Sequence, residues 1–163
     1  MHDLPRSFKL ATIWLLLGLA LFLAVQAWQH RQAQTRFMST GGMIEIVRAP
    51  DGHYHWPGRI NGRDVEFLID TGATGTAMSL DMARELGLPE LGNVRSTTAG
   101  GLVTGTVVRA DVELQGGVAA QGLRIVALPG LGDKPLLGMD VLGRLRWSQD
   151  RGVLKIDSRN AAR

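Results

Sequence analysis

The sequence predicts a mainly β domain, a closed or partly closed barrel with one or two short helices, set behind a single apolar amino-terminal helix. Three observations carry this: short β-branched runs punctuated by turn residues, 21 glycines against four Phe, four Trp and one Tyr, and one uncharged stretch of nineteen residues near the amino terminus. Glycine-rich punctuation between alternating runs favours strands and tight turns over thick helical packing. A chain of 163 residues with 45% hydrophobic content suits one domain with a short appendage.

Residues 1–9 read as a short tail. Leu10 to Trp28, LATIWLLLGLALFLAVQAW, carries no charge and is flanked by Arg6 and Lys9 on one side and His30, Arg31 and Arg36 on the other. At about 1.5 Å per residue it covers ~28 Å, close to the ~30 Å hydrocarbon thickness of a bilayer. Residues 10–28 are therefore expected to form a transmembrane helix, with Trp14 and Trp28 near the two interfaces. A cleaved signal peptide is the competing reading, since Val25-Gln26-Ala27 offers small residues to a signal peptidase, but the apolar run is longer than a signal segment needs. Flanking positive charges are nearly balanced, and a short tail inside with the large domain outside the cytoplasm is the arrangement expected. Residues 29–42, QHRQAQTRFMSTGG, are polar and read as a linker to a domain over 43–158, with 159–163 as a tail.

Within the domain, Met43 to Val47 alternates as a first strand, and Pro50-Asp51-Gly52 is a turn. Extended chain resumes from His53 to Ile60. Asn61-Gly62 then separates two apolar runs, a strong hairpin signal because a type I′ turn needs positive φ at both central residues. The returning strand, Val65 to Ile69, delivers the chain into Asp70. Ser79 is an N-cap for a two-turn helix that stops at Gly87. Strands follow from Val94 to Thr98, Leu102 to Leu114 and Val118 to Leu128, with glycine pairs at the turns. Leu136 to Leu142 gives an apolar strand end and a short helix, and Leu145 to Ile156 a last hairpin around Asp150-Arg151-Gly152.

Chemistry concentrates at Phe67-Leu68-Ile69-Asp70-Thr71-Gly72-Ala73-Thr74, where one carboxylate follows an apolar strand. A carboxylate there needs hydrogen-bond donors, and Thr-Gly supplies a hydroxyl and accessible backbone NH groups. Glycine two positions on lets a second backbone approach, which suits a site assembled from two copies of one loop. Asp-Thr-Gly could also be a plain Asx turn after a strand.

Ile69-Asp70-Thr71-Gly72-Ala73, with Leu136-Leu137-Gly138-Met139-Asp140-Val141-Leu142 well downstream, resembles the signature of the retroviral-type, retropepsin-like aspartic peptidases. The second segment looks like that of the retroviral-like domain of DNA-damage-inducible proteins, and the amino-terminal helix is similar to the anchor of bacterial single-pass members. The resemblance spans Met43 to Asp157 and implies an all-β acid-protease fold. It implies that Asp70 is the catalytic acid, meeting Asp70 of a second copy, with Thr71, Gly72 and Ala73 supporting the loop and Gly138 lying beneath it. A glycine-rich flap is implied over the substrate, for which Thr98, Ala99, Gly100 and Gly101 are the candidates. A homodimer is required, because a chain with one Asp-Thr-Gly holds half a site. The partners implied are a polypeptide substrate and, through the helix, a bacterial inner membrane with the domain on its periplasmic side. No metal or organic cofactor is expected. A catalytically silent, dimeric peptide-binding module with the same fold is the alternative.

Cysteine is absent, which removes thiolate catalysis, disulfides and cysteine metal sites. The +3 net charge is scattered, without a basic-aromatic stripe, so nucleic acid is not an expected partner. Gly72-Ala73-Thr74-Gly75-Thr76 lacks the lysine of a phosphate-binding loop. His53 and His55 share a strand face without a third ligand, short of what zinc needs. Asp140 reads as a residue that meets a helix start, and Asp150 as a turn residue.

Overall fold

The computed structural model describes residues 6–32, 36–39, 41–98 and 101–160. The chain divides into two units, Met1–Gln34 and Thr35–Arg163. The first holds α1 (Arg6–Gln32), which extends past the expected 10–28 at both ends. Among the described residues no helix is long and apolar enough to cross a membrane, the α1 side chains described being those of residues 13–26. Within that stretch Trp14, Leu21 and Phe22 are exposed.

In chain order the second unit contains β1 (Arg36–Ser39), β2 (Met43–Val47), β3 (His55–Ile60), β4 (Arg63–Ile69), β5 (Ala77–Ser79), α2 (Leu80–Glu85), β6 (Glu90–Thr98), β7 (Gly101–Leu114), β8 (Val118–Leu128), β9 (Leu136–Leu137), α3 (Met139–Leu142), β10 (Arg146–Asp150) and β11 (Val153–Asp157). Neighbouring strands run β8-β5-β9-β4-β3-β7, and β7 pairs back onto β8, closing the expected barrel. β1 and β6 are added outside this ring, on β8 and β7 respectively. A separate sheet, β10-β11-β2, joins the start of the domain to its end.

The Asn61-Gly62 turn sets the register that matters most. Asn61 has φ 48° and Gly62 φ 80°, the positive pair a type I′ turn demands. Ile60 is thereby held opposite Arg63, and His55 opposite Leu68. A register slip by one residue would turn Phe67 and Ile69 out of the core. An irregularity in β7 between Ala110 and Val112 frees Asp111, whose NH donates to Asn61 Oδ1 (2.8 Å) and whose carbonyl accepts from Asn61 N (2.9 Å). The hairpin is thus pinned to the barrel at its tip.

Trp56, Ile60, Phe67, Met78, Ile125, Leu137 and Leu142 are fully buried in the core. Each contributes roughly 1.5–3 kcal/mol by leaving water, and the one polar atom of Trp56 is satisfied by donating to Gln115 O at 2.9 Å. α2 is capped as expected, Met82 N donating to Ser79 Oγ, and it ends at Gly87 with φ 60°.

Two elements depart from the sequence reading. Inside residues 29–42, expected as linker, Arg36–Ser39 pair antiparallel with Val118–Gln121 of β8. An edge strand satisfies backbone groups and needs no alternating side-chain pattern, so nothing in the residues signalled it. β6 begins at Glu90 rather than Val94, its extra length carried past a register shift between Glu90 and Gly92.

Candidate active site

β4 reaches Asp70 from inside the barrel. Phe67 and Ile69 point into the core, and β9 runs parallel to β4 with Leu68 opposite Leu136 and Ile69 opposite Leu137. Leu68 N donates to Pro135 O and Asp70 N to Leu137 O (2.9 and 3.1 Å) on one flank, while Ile69 N donates to Tyr54 O (2.9 Å) on the other. The backbone carrying the acid is therefore gripped from both sides up to the acid itself.

Beyond it the chain folds back sharply. Ala73 N donates to Asp70 O (3.3 Å), and Gly72 N donates to the carboxylate at Oδ1 (2.9 Å). Asp70 is half-buried; Thr71 and Gly72 are exposed. A Cβ on Gly72 would lie 3.2 Å from Asp70 Oδ1, so glycine keeps the NH close to the carboxylate without crowding it.

Gly138 sits beneath this loop. A Cβ there would fall 2.9 Å from Gly75 Cα and closer still to the Gly75 carbonyl, which only glycine avoids. The contact lets α3 dock by backbone: Met139 N donates to Ala73 O (2.9 Å) and Asp140 N to Thr74 O (3.1 Å). Thr76, fully buried, completes the junction. Its hydroxyl accepts from Gly138 N (3.3 Å) and donates to Asp140 Oδ1 (2.8 Å), which also accepts from Val141 N (3.0 Å).

A cavity of about 600 Å³ opens at the loop. Asp70 and Gly72 line one side, Ser96 and Thr97 of β6 another, and Val126, Leu128, Leu131 and Leu136 make an apolar wall. β6 and β7 form a hairpin with Thr98 opposite Gly101. Of the proposed flap, Ala99 and Gly100 lie outside the described residues, as does the Thr98 side chain. The structure thus brings Asp70, Gly72, Ala73 and Gly138 together and sets the hairpin's arm at the same cavity.

Thr76 and Asp140 are the residues whose connection the sequence reading missed. Asp140 does meet the helix start, accepting from Val141 N, but its bond to Thr76 spans 64 positions and has no local signal.

The two histidines do not share a ligand site. His53 is exposed, whereas His55, its side chain 13% exposed, sits between Asp51 Oδ2 (2.7 Å from Nε2) and Glu66 Oε2 (3.5 Å from Nδ1). Lys134 pairs with Glu66 and lies 3.3 Å from His55 Nδ1. The His53 amide, then the His55 imidazole, hold Asp51 below the usual carboxylate range; Lys134, with His55 behind it, does the same to Glu66. Among the described residues no group of three or more acids or histidines is arranged to hold a metal ion.

A closed β-barrel with an Asp-Thr-Gly loop resting on a glycine-entered helical turn defines the retroviral type of acid-protease fold. A family profile described as "gag-polyprotein putative aspartyl protease" matches residues 56–144, and the chain belongs to this family. The crystal structure of a retropepsin-like aspartic protease from Rickettsia conorii shares the fold, with a TM-score of 0.56 and 24% identity over 76% of this chain and 93% of that one. An uncharacterized protein encoded in the cobV 5′ region of Sinorhizobium sp is 26% identical over 92% of this chain and 72% of its own length. Another, from Rickettsia prowazekii (strain Madrid E), is 32% identical over 64% of this chain, which spans only 46% of that protein.

Proposed function

We propose that the protein is an aspartic endopeptidase that works as a homodimer, Asp70 of each subunit supplying half of one carboxylate pair. The observation that carries this reading is a half-buried acid at the mouth of a cavity of about 600 Å³, on a loop whose Thr71 and Gly72 are exposed for a second copy to meet. Two carboxylates brought face to face cannot both ionise and so share one proton. The ionised partner takes a proton from a water held between them while that oxygen bonds to the scissile carbonyl carbon. The protonated partner gives its proton to the carbonyl oxygen. The tetrahedral diol collapses as the amide nitrogen is protonated and the C–N bond breaks, leaving the pair singly protonated again. Thr71 links the two loops, and the hairpin of β6 and β7 is the flap that closes over an extended substrate. The chemistry requires neither metal nor organic cofactor.

The same reading tethers the domain to a bacterial inner membrane, on the periplasmic side, through Leu10 to Trp28. Its support is the uncharged run of nineteen residues within a helix that continues from Arg6 to Gln32. Confinement in a bilayer would raise the local concentration of subunits that must pair.

Peptide-library cleavage by the full chain from about pH 3 to 7, wild type against Asp70→Asn, tests the activity. Cleavage by wild type alone, blocked by pepstatin, is the expected result. Peptide bound but left intact by a folded dimer would assign the silent binding module instead.

A further inference from the structure

We propose that Asp140 is a positioning residue for Asp70, acting through Thr76 as a hydrogen-bond acceptor rather than as a charge. The inference rests on the peptidase reading above and extends it to a residue with no place in the Asp-Thr-Gly signature.

The loop bearing Asp70 has two arms. The incoming arm, β4, is fixed by the barrel. The outgoing arm, 73–76, meets the barrel only at its end, where the Thr76 carbonyl accepts from Val126 N of β8 (3.0 Å), and before that it is held by α3. Backbone bonds from Met139 and Asp140 hold the Ala73 and Thr74 carbonyls, and the Thr76 hydroxyl closes the arm. That hydroxyl is fully buried, so it cannot turn to water if its acceptor is lost. Its acceptor is Asp140 Oδ1, itself oriented by Val141 N, and it accepts in turn from Gly138 N. The Thr76 side chain therefore ties the outgoing arm to the turn that supports it, through one bond donated to Asp140 and one accepted from Gly138 N.

The consequence reaches Asp70 through Gly72. Gly72 N donates to Asp70 Oδ1, and Ala73 N to Asp70 O, so a shift of the outgoing arm moves the donor that orients the carboxylate. In a symmetric dimer the displacement occurs twice, once in each half of the pair, and a misplacement of about 1 Å in a reacting group can cost on the order of 10²-fold in rate.

Asp140→Asn keeps an oxygen acceptor at the same place and removes the charge; Asp140→Ala removes both. In the full chain, Asp140→Ala should lower kcat by roughly 10–100-fold with KM within about 3-fold, and Asp140→Asn should stay near wild type. Thr76→Val should reproduce the alanine variant, Thr76→Ser should retain activity, and the double variant Asp140→Ala/Thr76→Val should be no worse than either single one. A merely structural role would lower Tm and leave kcat of the folded protein unchanged. A readout independent of activity is the Gly72 amide resonance, which reports the bond to Asp70: it should move in Asp140→Ala and hold in Asp140→Asn. Unchanged kcat and an unmoved Gly72 amide in folded Asp140→Ala would overturn the inference, as would Asp140→Asn behaving like Asp140→Ala. Should wild type cleave nothing, the peptidase reading fails while the Gly72 amide still decides the positioning.

Discussion

The floor of the cavity and the hairpin at its edge are built on opposite principles. The floor, from Phe67 through Thr76 with Leu136 to Leu142 beneath it, is locked by backbone bonds on both flanks of Asp70, by a buried hydroxyl, and by a glycine contact that admits no side chain. The outer part of the hairpin, where Arg95 to Thr98 face Gly101 to Thr104, lies beyond the pairing of β7 with β8, which begins at Thr106; none of the described side chains of β6 is buried, and Leu102 on the returning arm is 66% exposed. A rigid floor holds reacting groups in fixed geometry, whereas an exposed hairpin end can shift without unpacking the core. Changes to the floor should therefore appear in kcat and stability, and changes to the hairpin in KM.

The largest effect expected is from Asp70→Asn, which should abolish cleavage, by roughly 10⁴-fold or more, while leaving the fold intact. Circular dichroism alongside the assay checks both halves. Phe67→Ala should come next: emptying a fully buried position on the strand that carries the acid should cost about 3–5 kcal/mol in denaturant unfolding. Gly138→Ala tests the close approach directly. Its methyl must displace Gly75, so about 1–3 kcal/mol of stability and most of the activity should be lost. A tolerated alanine would show the floor to be looser than its hydrogen bonds imply.

Leu102→Ser probes the other side of the comparison. Stability should change by less than about 0.5 kcal/mol because the side chain is already exposed, and KM should rise several-fold with kcat nearly constant. An equal fall in kcat would mean that the hairpin shares in fixing the reacting groups. The smallest effect belongs to Glu66, far from either surface of the cavity in function if not in sequence. Lys134 lowers its pKa, so its contribution to stability is present above the ordinary glutamate value and is lost as pH falls through the lowered one. Glu66→Gln should unfold slightly earlier than wild type near neutrality, and the two melting curves should converge in acid.

What the sequence made legible follows the same division. Asp70, Gly72 and Gly138 stood out because short-range chemistry constrains them: an acid after an apolar strand, a glycine where backbones must meet. The Asn61-Gly62 turn was legible for the same reason, and its φ values match the turn type it announces. β1 was not, since an edge strand pairs through groups that every residue possesses. Nor was the Thr76 bond to Asp140, which depends on α3 being folded back beneath the loop, a tertiary fact without local trace. At the glycine pair the two expected strands do meet, Thr98 lying opposite Gly101, although the first of them begins earlier than its residues suggested.

Mixing subunits tests most directly whether one site takes Asp70 from each of two chains. Full-length wild type and Asp70→Asn are combined in equal amounts, allowed to exchange, and assayed at constant total protein. Random pairing into an isologous dimer leaves about a quarter of the all-wild-type activity, because only dimers with two intact acids work. Retention of about half would mean that each chain carries a complete site of its own, and the shared carboxylate pair would be wrong.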